Sequence, residues 1–148
     1  MQRIVVLGGG ESGCGSAVLA RVKGFDVFLS DRGSIAPKYR ELLEKWDIPY
    51  EEGRHTAGKI LSADKVVKSP GIPDKALMVK AVRERGIPVI SEIEFAGAYT
   101  SARTICITGS NGKTTTTTLT YEILRQAGVN VGLAGNIGES FALAVATG

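Results

Sequence analysis

Cysteine, histidine and tryptophan are nearly missing from this 148-residue chain, at two, one and one copies. The two cysteines, Cys14 and Cys106, stand far apart, one in a glycine-rich loop and one in an apolar run. They form neither a disulfide framework nor a metal knuckle, which fits a reducing compartment. Cys14 lies near a helix start, where thiols can be activated, but a small packing residue explains it as well. The single histidine, His55, sits in a polar loop and reads as structural or solvated rather than catalytic. Aromatic residues are only 6% of the chain and scattered, so no stacking array is present. A dominant charge is also lacking. The net charge of +3 is too small, and the basic residues too dispersed, to argue for a nucleic-acid partner. No apolar run approaches the roughly 20 residues of a membrane span. The N-terminus enters a strand at once, without the n-region, h-region and cleavage site of a signal peptide. A cytoplasmic protein with no membrane partner is therefore expected.

What the chain does have is glycine, 19 residues of it, set between apolar runs. With 43% hydrophobic and 22% charged residues it has a soluble globular composition. "RIVVLGGG" (Arg3 to Gly10) predicts a buried parallel strand ending in glycines. A helix from Gly13 to Lys23, a strand from Asp26 to Asp31 and a helix from Pro37 to about Trp46 follow. A weak helical stretch at Gly58 to Leu61 precedes a strand from Asp64 to Ser69 and a Ser69–Pro73 turn. A helix from Asp74 to Arg85 and a strand from Ile87 to Ser91 come next. Ser91 is placed to cap the following helix, with Glu94 at the capping-box position. Such alternation predicts an α/β fold with a mostly parallel, doubly wound sheet.

The rhythm restarts after "TSAR" (Thr100 to Arg103). A strand from Thr104 to Gly109, a helix from Lys113 to about Gln126, a further strand and turn over 129–138 and a last helix near Glu139 are expected. The chain divides into a Rossmann-like domain, 1–101, and the first βαβ of a P-loop domain, 102–148, expected to be incomplete.

Three constellations carry chemistry. Gly8-x-Gly10-x-x-Gly13 follows a strand and opens a helix, so its backbone can approach a pyrophosphate at a helix N-terminus. Asp31 ends the next strand, where an acidic side chain can meet a ribose hydroxyl. The pattern does not distinguish NAD from a nucleotide sugar. Second, "TGSNGKTT" reads as a phosphate cradle: backbone N–H groups of Gly109, Ser110, Asn111 and Gly112, Lys113 on the terminal phosphates, and Thr114 on Mg²⁺. Two residues separate its glycines instead of the usual four. Thr115 to Thr118 read mostly as packing. Third, "GNIG" (Gly135 to Gly138) presents Asn136 at a strand end, where it can orient a phosphate or developing charge. The Ser69-Pro70-Gly71 turn falls on the same sheet edge as the first glycine motif.

Taken together these motifs resemble the Mur ligase family, in its D-glutamate-adding branch. The shortened P-loop "TGSNGKTT", "GGGESG", the strand-ending Asp31, "KSPGI", "SEIE" and "AGNIG" recur there in this order. The resemblance implies a first domain that binds the UDP end of UDP-MurNAc-L-Ala and does not use NAD. Glu11, Ser12, Gly13 and Asp31 would line the uridine–pyrophosphate site, with Ser69 and Gly71 closing over the uracil and Asn136 touching the substrate. Arg32 is a further candidate, although many relatives have a hydroxyl residue and then arginine after the aspartate, where Arg32 and Gly33 stand here. Gly109 to Thr115 would hold ATP, with Lys113 and Asn136 as catalytic residues and Mg²⁺ on Thr114.

The implied reaction is phosphorylation of the L-alanyl carboxylate by ATP, then attack of D-glutamate on the acyl phosphate. The family's Mg²⁺-bridging glutamate, carbamylated lysine, metal-side histidine and D-glutamate-binding domain would lie beyond Gly148. These 148 residues alone are therefore expected not to turn over substrate. A monomeric full enzyme and self-association of the incomplete second domain are also expected. Three alternatives stay open: an NAD(P)-dependent oxidoreductase, a nucleotide-sensing domain, and a Mur ligase of other amino-acid specificity.

Overall fold

The computed structural model describes all 148 residues. Strand β1 (Arg3–Leu7) is the centre of the sheet, because four consecutive apolar side chains can be buried only if both faces are covered. Its alternating side chains divide the interior. Ile4 and Val6 face one core and Val5 and Leu7 the other. Helix α1 (Glu11–Val22) packs on the first face, burying Cys14, Ala17, Val18, Leu19 and Ala20. Strand β2 (Asp26–Ser30) pairs parallel with β1, and α2 (Pro37–Lys45) returns the chain with Leu43 inward. A two-residue strand β3 (Tyr50–Glu51) then pairs with β2 at the sheet edge.

Helix α3 (Ala57–Ile60) leads to β4 (Lys65–Lys68), which pairs with β1 on its other side. Helix α4 (Leu77–Glu84) covers the second core with Val79 and Val82, and β5 (Val89–Ser91) completes the sheet. The resulting order, β3-β2-β1-β4-β5, is parallel throughout. It bears out the α/β, Rossmann-like expectation for the first 100 or so residues. Helix α5 (Glu92–Gly97) starts directly from β5 through the expected capping box. The Ser91 hydroxyl accepts from the Glu94 amide, and the Glu94 carboxylate accepts from the Ser91 amide.

Some expectations need correction. The helix expected from Asp74 begins at Leu77, because Ala76 N–H closes a turn on the Pro73 carbonyl instead. More important, neither Thr104–Gly109 nor the 129–134 run forms a strand; only an isolated bridge joins Ala134 to Glu139. A strand is defined by pairing, and no other segment of this chain offers these runs a ladder. The expected βαβ is thus present only as its helices: α6 (Lys113–Gln126), as foreseen, and α7 (Phe141–Thr147). Helix α6 buries none of its residues, whereas α7 docks on α1 and α5 and places Ala142 fully inside the first core.

Candidate functional site

The carboxyl ends of β1, β2 and β4 deliver the glycine loop, Asp31 and the Ser69–Gly71 turn to one sheet edge. Helix α1 begins there with Gly10 at its N-cap and no side-chain cap, leaving first-turn N–H groups free for a ligand. Glu11 adds a negative charge at that end, so an anion would be held by backbone N–H groups rather than by this side chain. Gly13 lets the helix close on the loop, since a Cβ there would overlap the Gly8 carbonyl oxygen and come within 3.0 Å of Ser69 Oγ. That Ser69 hydroxyl is buried beside both glycines without a hydrogen-bond partner. Such an orphan normally costs about 1–3 kcal/mol, and a ligand acceptor or donor at this edge would relieve it.

Asp31 already has structural partners. Its Oδ2 accepts from Gly9 N–H at 2.6 Å and its Oδ1 from Gly33 N–H at 2.7 Å. The carboxylate therefore ties the end of β2 to the glycine loop, while a second lone pair on each oxygen remains for a ligand hydroxyl. Arg32 lies on the exposed turn beside it.

Behind Asp31 is a polar network that sequence reasoning missed. Buried Glu51 accepts from the Ser30 hydroxyl at 2.8 Å, the Thr56 amide at 2.7 Å and the Thr56 hydroxyl at 2.6 Å. Burial pushes its carboxyl pKa up, but the Thr56 and Ser30 hydrogen bonds and the Lys59 charge outweigh this and hold it below the usual value. His55 Nδ1 lies 2.7 Å from Ser30 Oγ, and burial lowers the His55 pKa against the pull of Asp31 and Glu51. His55 is thus structural, as expected. The available signal was Ser30 and Glu51 on neighbouring parallel strands, and this required knowing that β3 exists.

A cleft of about 370 Å³ opens at the start of α1. Glu11 and Ser12, Pro70 of the turn, Glu92 and Ile93 of α5, and Gly135, Asn136 and Ser140 line it. This volume is in the range of small-molecule sites, roughly 300–1,000 Å³. The structure thus brings Asn136 to the glycine-loop side, together with the first-domain candidates. None of Gly109 to Thr115 lines the cleft, so Lys113 and Asn136 do not share it.

The phosphate loop stands apart and exposed. Gly112 takes the left-handed conformation (φ 76°) that starts α6, with no side chain capping the helix. Lys113, Thr114 and Thr115 are all exposed on its first turn. Uncapped N–H groups, an adjacent ammonium and a free hydroxyl fit a polyphosphate carrying its own Mg²⁺. No three His, Cys, Asp or Glu side chains converge to hold a metal ion by themselves. Along the same helix Thr117 and Thr120 donate back to the Lys113 and Thr116 carbonyls, and the packing expected of most of Thr115 to Thr118 is not seen, since α6 buries none of its residues. Cys14 is buried, donates to the Gly9 carbonyl and has its pKa pushed up to about 12 by burial and the Asp31 charge. Both effects keep the thiol protonated, which suits a packing residue rather than a nucleophile.

A five-stranded parallel sheet with a glycine loop opening a helix at its carboxyl edge defines a Rossmann-type unit. Residues 2–91 match the Mur ligase MurD-like N-terminal domain, and residues 107–146 match the Mur ligase middle domain. The chain belongs to the Mur ligase family. It is 66% identical over 146 residues to the UDP-N-acetylmuramoylalanine–D-glutamate ligase of Bacteroides fragilis, covering 99% of this chain and 33% of that protein. The ligase of the same name from Porphyromonas gingivalis is 59% identical, over 97% of this chain and 32% of its own length. The chain thus spans about a third of the length of these relatives. Among solved structures, a murein peptide ligase from Psychrobacter arcticus superposes with a TM-score of 0.65 at 30% identity. It covers 86% of this chain, which spans 27% of that one.

Proposed function

We propose that this chain forms the substrate-nucleotide and ATP-phosphate sites of an ATP-dependent amide ligase. That ligase adds D-glutamate to UDP-N-acetylmuramoyl-L-alanine in peptidoglycan precursor synthesis. The cleft where Glu11, Ser12 and Pro70 meet Asn136 carries this reading. Identity to enzymes named for that reaction supports the amino-acid specificity. The UDP end lies along the glycine loop, its pyrophosphate on the free N–H groups of α1, with Ser12, Gly13, Asp31 and Arg32 beside it. The Ser69–Gly71 turn closes over the uracil. Asn136 contacts the part of the substrate that reaches beyond the pyrophosphate.

ATP with Mg²⁺ supplies, when bound, the phosphoryl group that activates the alanyl carboxylate as an acyl phosphate. Gly109 to Gly112 direct backbone N–H groups at its phosphates, and Lys113 neutralises their charge. Thr114 offers a hydroxyl to the metal, and Thr115 extends the same helical turn. The chain thereby positions reactants rather than donating protons, as phosphoryl transfer requires. The two unpaired thiols, Cys14 and Cys106, suit a cytoplasmic setting. No helix is long and apolar enough to cross a membrane.

The reaction is tested on a polypeptide in which this chain is followed by the further length its relatives possess. Phosphate release should require both ATP and D-glutamate with UDP-MurNAc-L-Ala, and Lys113→Ala should abolish it. Release driven equally by another amino acid would remove the specificity assigned here.

A further inference from the structure

The chain returns to its first domain at one place outside the nucleotide motifs. Ser140 is buried at the start of α7 and caps it, its Oγ accepting from Leu143 N–H at 3.2 Å. It sits directly on Gly15 of α1, where any Cβ would overlap Ser140 Oγ and come within 3.1 Å of the Leu143 nitrogen. Across the same junction the buried Glu92 carboxylate accepts from Ala142 N–H at 3.0 Å, a contact spanning 50 residues of sequence. Ala142 is fully enclosed by the first core. Three features therefore fix α7: a glycine gap in α1, a buried carboxylate from α5 and a buried methyl. The loop carrying Gly135 and Asn136 immediately precedes this anchor and forms one wall of the cleft.

We propose that Gly15, Glu92 and Ser140 are positioning residues that clamp α7 to the first domain and so hold Asn136 over the ligand cleft. The proposal rests on the substrate reading above. It adds that affinity for the portion of substrate beyond the pyrophosphate depends on the docking of α7 against α1 and α5, at the floor of the cleft and behind it. Gly15 does not line the cleft, and alanine favours helix more than glycine does. Gly15→Ala therefore loosens α7 while leaving α1 and the glycine loop formed. Removing the Ser140 side chain in the same molecule clears the overlap, and glycine is tolerated at an N-cap at small cost. Glu92→Gln keeps an acceptor for Ala142 N–H, whereas Glu92→Ala leaves that buried donor unpaired.

The test combines hydrogen–deuterium exchange of α7 with titration of the 148-residue chain by UDP and by UDP-MurNAc-L-Ala. In Gly15→Ala the Ala142 and Leu143 amides should exchange faster. Affinity for UDP-MurNAc-L-Ala should fall about tenfold, the loss of one hydrogen bond to a charged or polar ligand group, with UDP affinity unchanged. Gly15→Ala with Ser140→Gly should restore the affinity and the Ala142 protection, while Leu143, without its Ser140 acceptor, stays fast; Glu92→Gln should retain more affinity than Glu92→Ala. Faster exchange with unchanged affinity, or an equal loss for both ligands, would overturn the clamp while leaving the substrate reading intact. Wild-type chain that binds neither ligand would instead refute the substrate reading, and this proposal with it.

Discussion

A methyl group at position 13 would run into the carbonyl oxygen of Gly8. Gly13→Ala must therefore push α1 off the end of β1. A loss of about 1–3 kcal/mol in urea unfolding is expected from such overpacking, together with loss of nucleotide binding. Full stability in that variant would mean the loop has room the geometry denies. His55 and Glu51 set a pH dependence at the same scale. Both pKa values are lowered in the folded chain, from ordinary values of 6.5 and 4.5. A depressed folded pKa means the unfolded chain takes up the proton first, so each group stabilises above its ordinary value and loses that contribution as pH falls through the folded one. Urea midpoints should be level above 6.5, decline below it and fall again below 4.5. His55→Gln should remove the first decline only. A midpoint independent of pH across that range would contradict the network around Ser30.

At the scale of elements, local chemistry made some features legible and tertiary pairing hid others. The capping box of α5 was readable because its two side chains lie three residues apart and bond each other's backbone amide, and one another, with no partner elsewhere in the fold. Ser91→Ala should cost about 1 kcal/mol, read as a lower melting temperature. The strands expected at Thr104–Gly109 and 129–134 have the right residues and no ladder, since an apolar run specifies β structure only when a neighbour accepts its hydrogen bonds. Strand β3 was missed for the opposite reason: two residues carry no periodicity, yet Leu29 N–H reaches Pro49 O and β2 pairs with them. Helix α6 was found because a phosphate-type loop feeds a helix and Gly128 stops it, but it lies open, with Leu119 and Ile123 59% and 58% exposed. A 14-residue helix without burial is marginal in water. Its amides should exchange at least about a hundredfold faster than those of α1; equal protection would show that α6 is covered in solution.

Over the whole molecule, the parallel sheet and its candidate ligand edge followed from glycine-terminated apolar runs alternating with helices, while the strand order did not. What the motifs could not reveal is how the two parts of the chain meet. Asn136 was expected both on the UDP substrate and beside Lys113; the Ser140, Glu92 and Gly15 contacts carry its loop to the α1 cleft, away from Lys113. Those contacts depend on the fold of the first domain, and no local spacing encodes them. The phosphate-type loop and the cleft are thus two separate places in the fold, each at a helix N-terminus. The claim that joins them to one enzyme is that the first site is made for a UDP-linked sugar peptide rather than a dinucleotide. Calorimetric titration of this chain with UDP-MurNAc-L-Ala, set against NAD, tests it directly. The account predicts saturable 1:1 binding of the sugar nucleotide, lost in Gly13→Ala, and no heat of binding from NAD. Binding of NAD with none of UDP-MurNAc-L-Ala would contradict it.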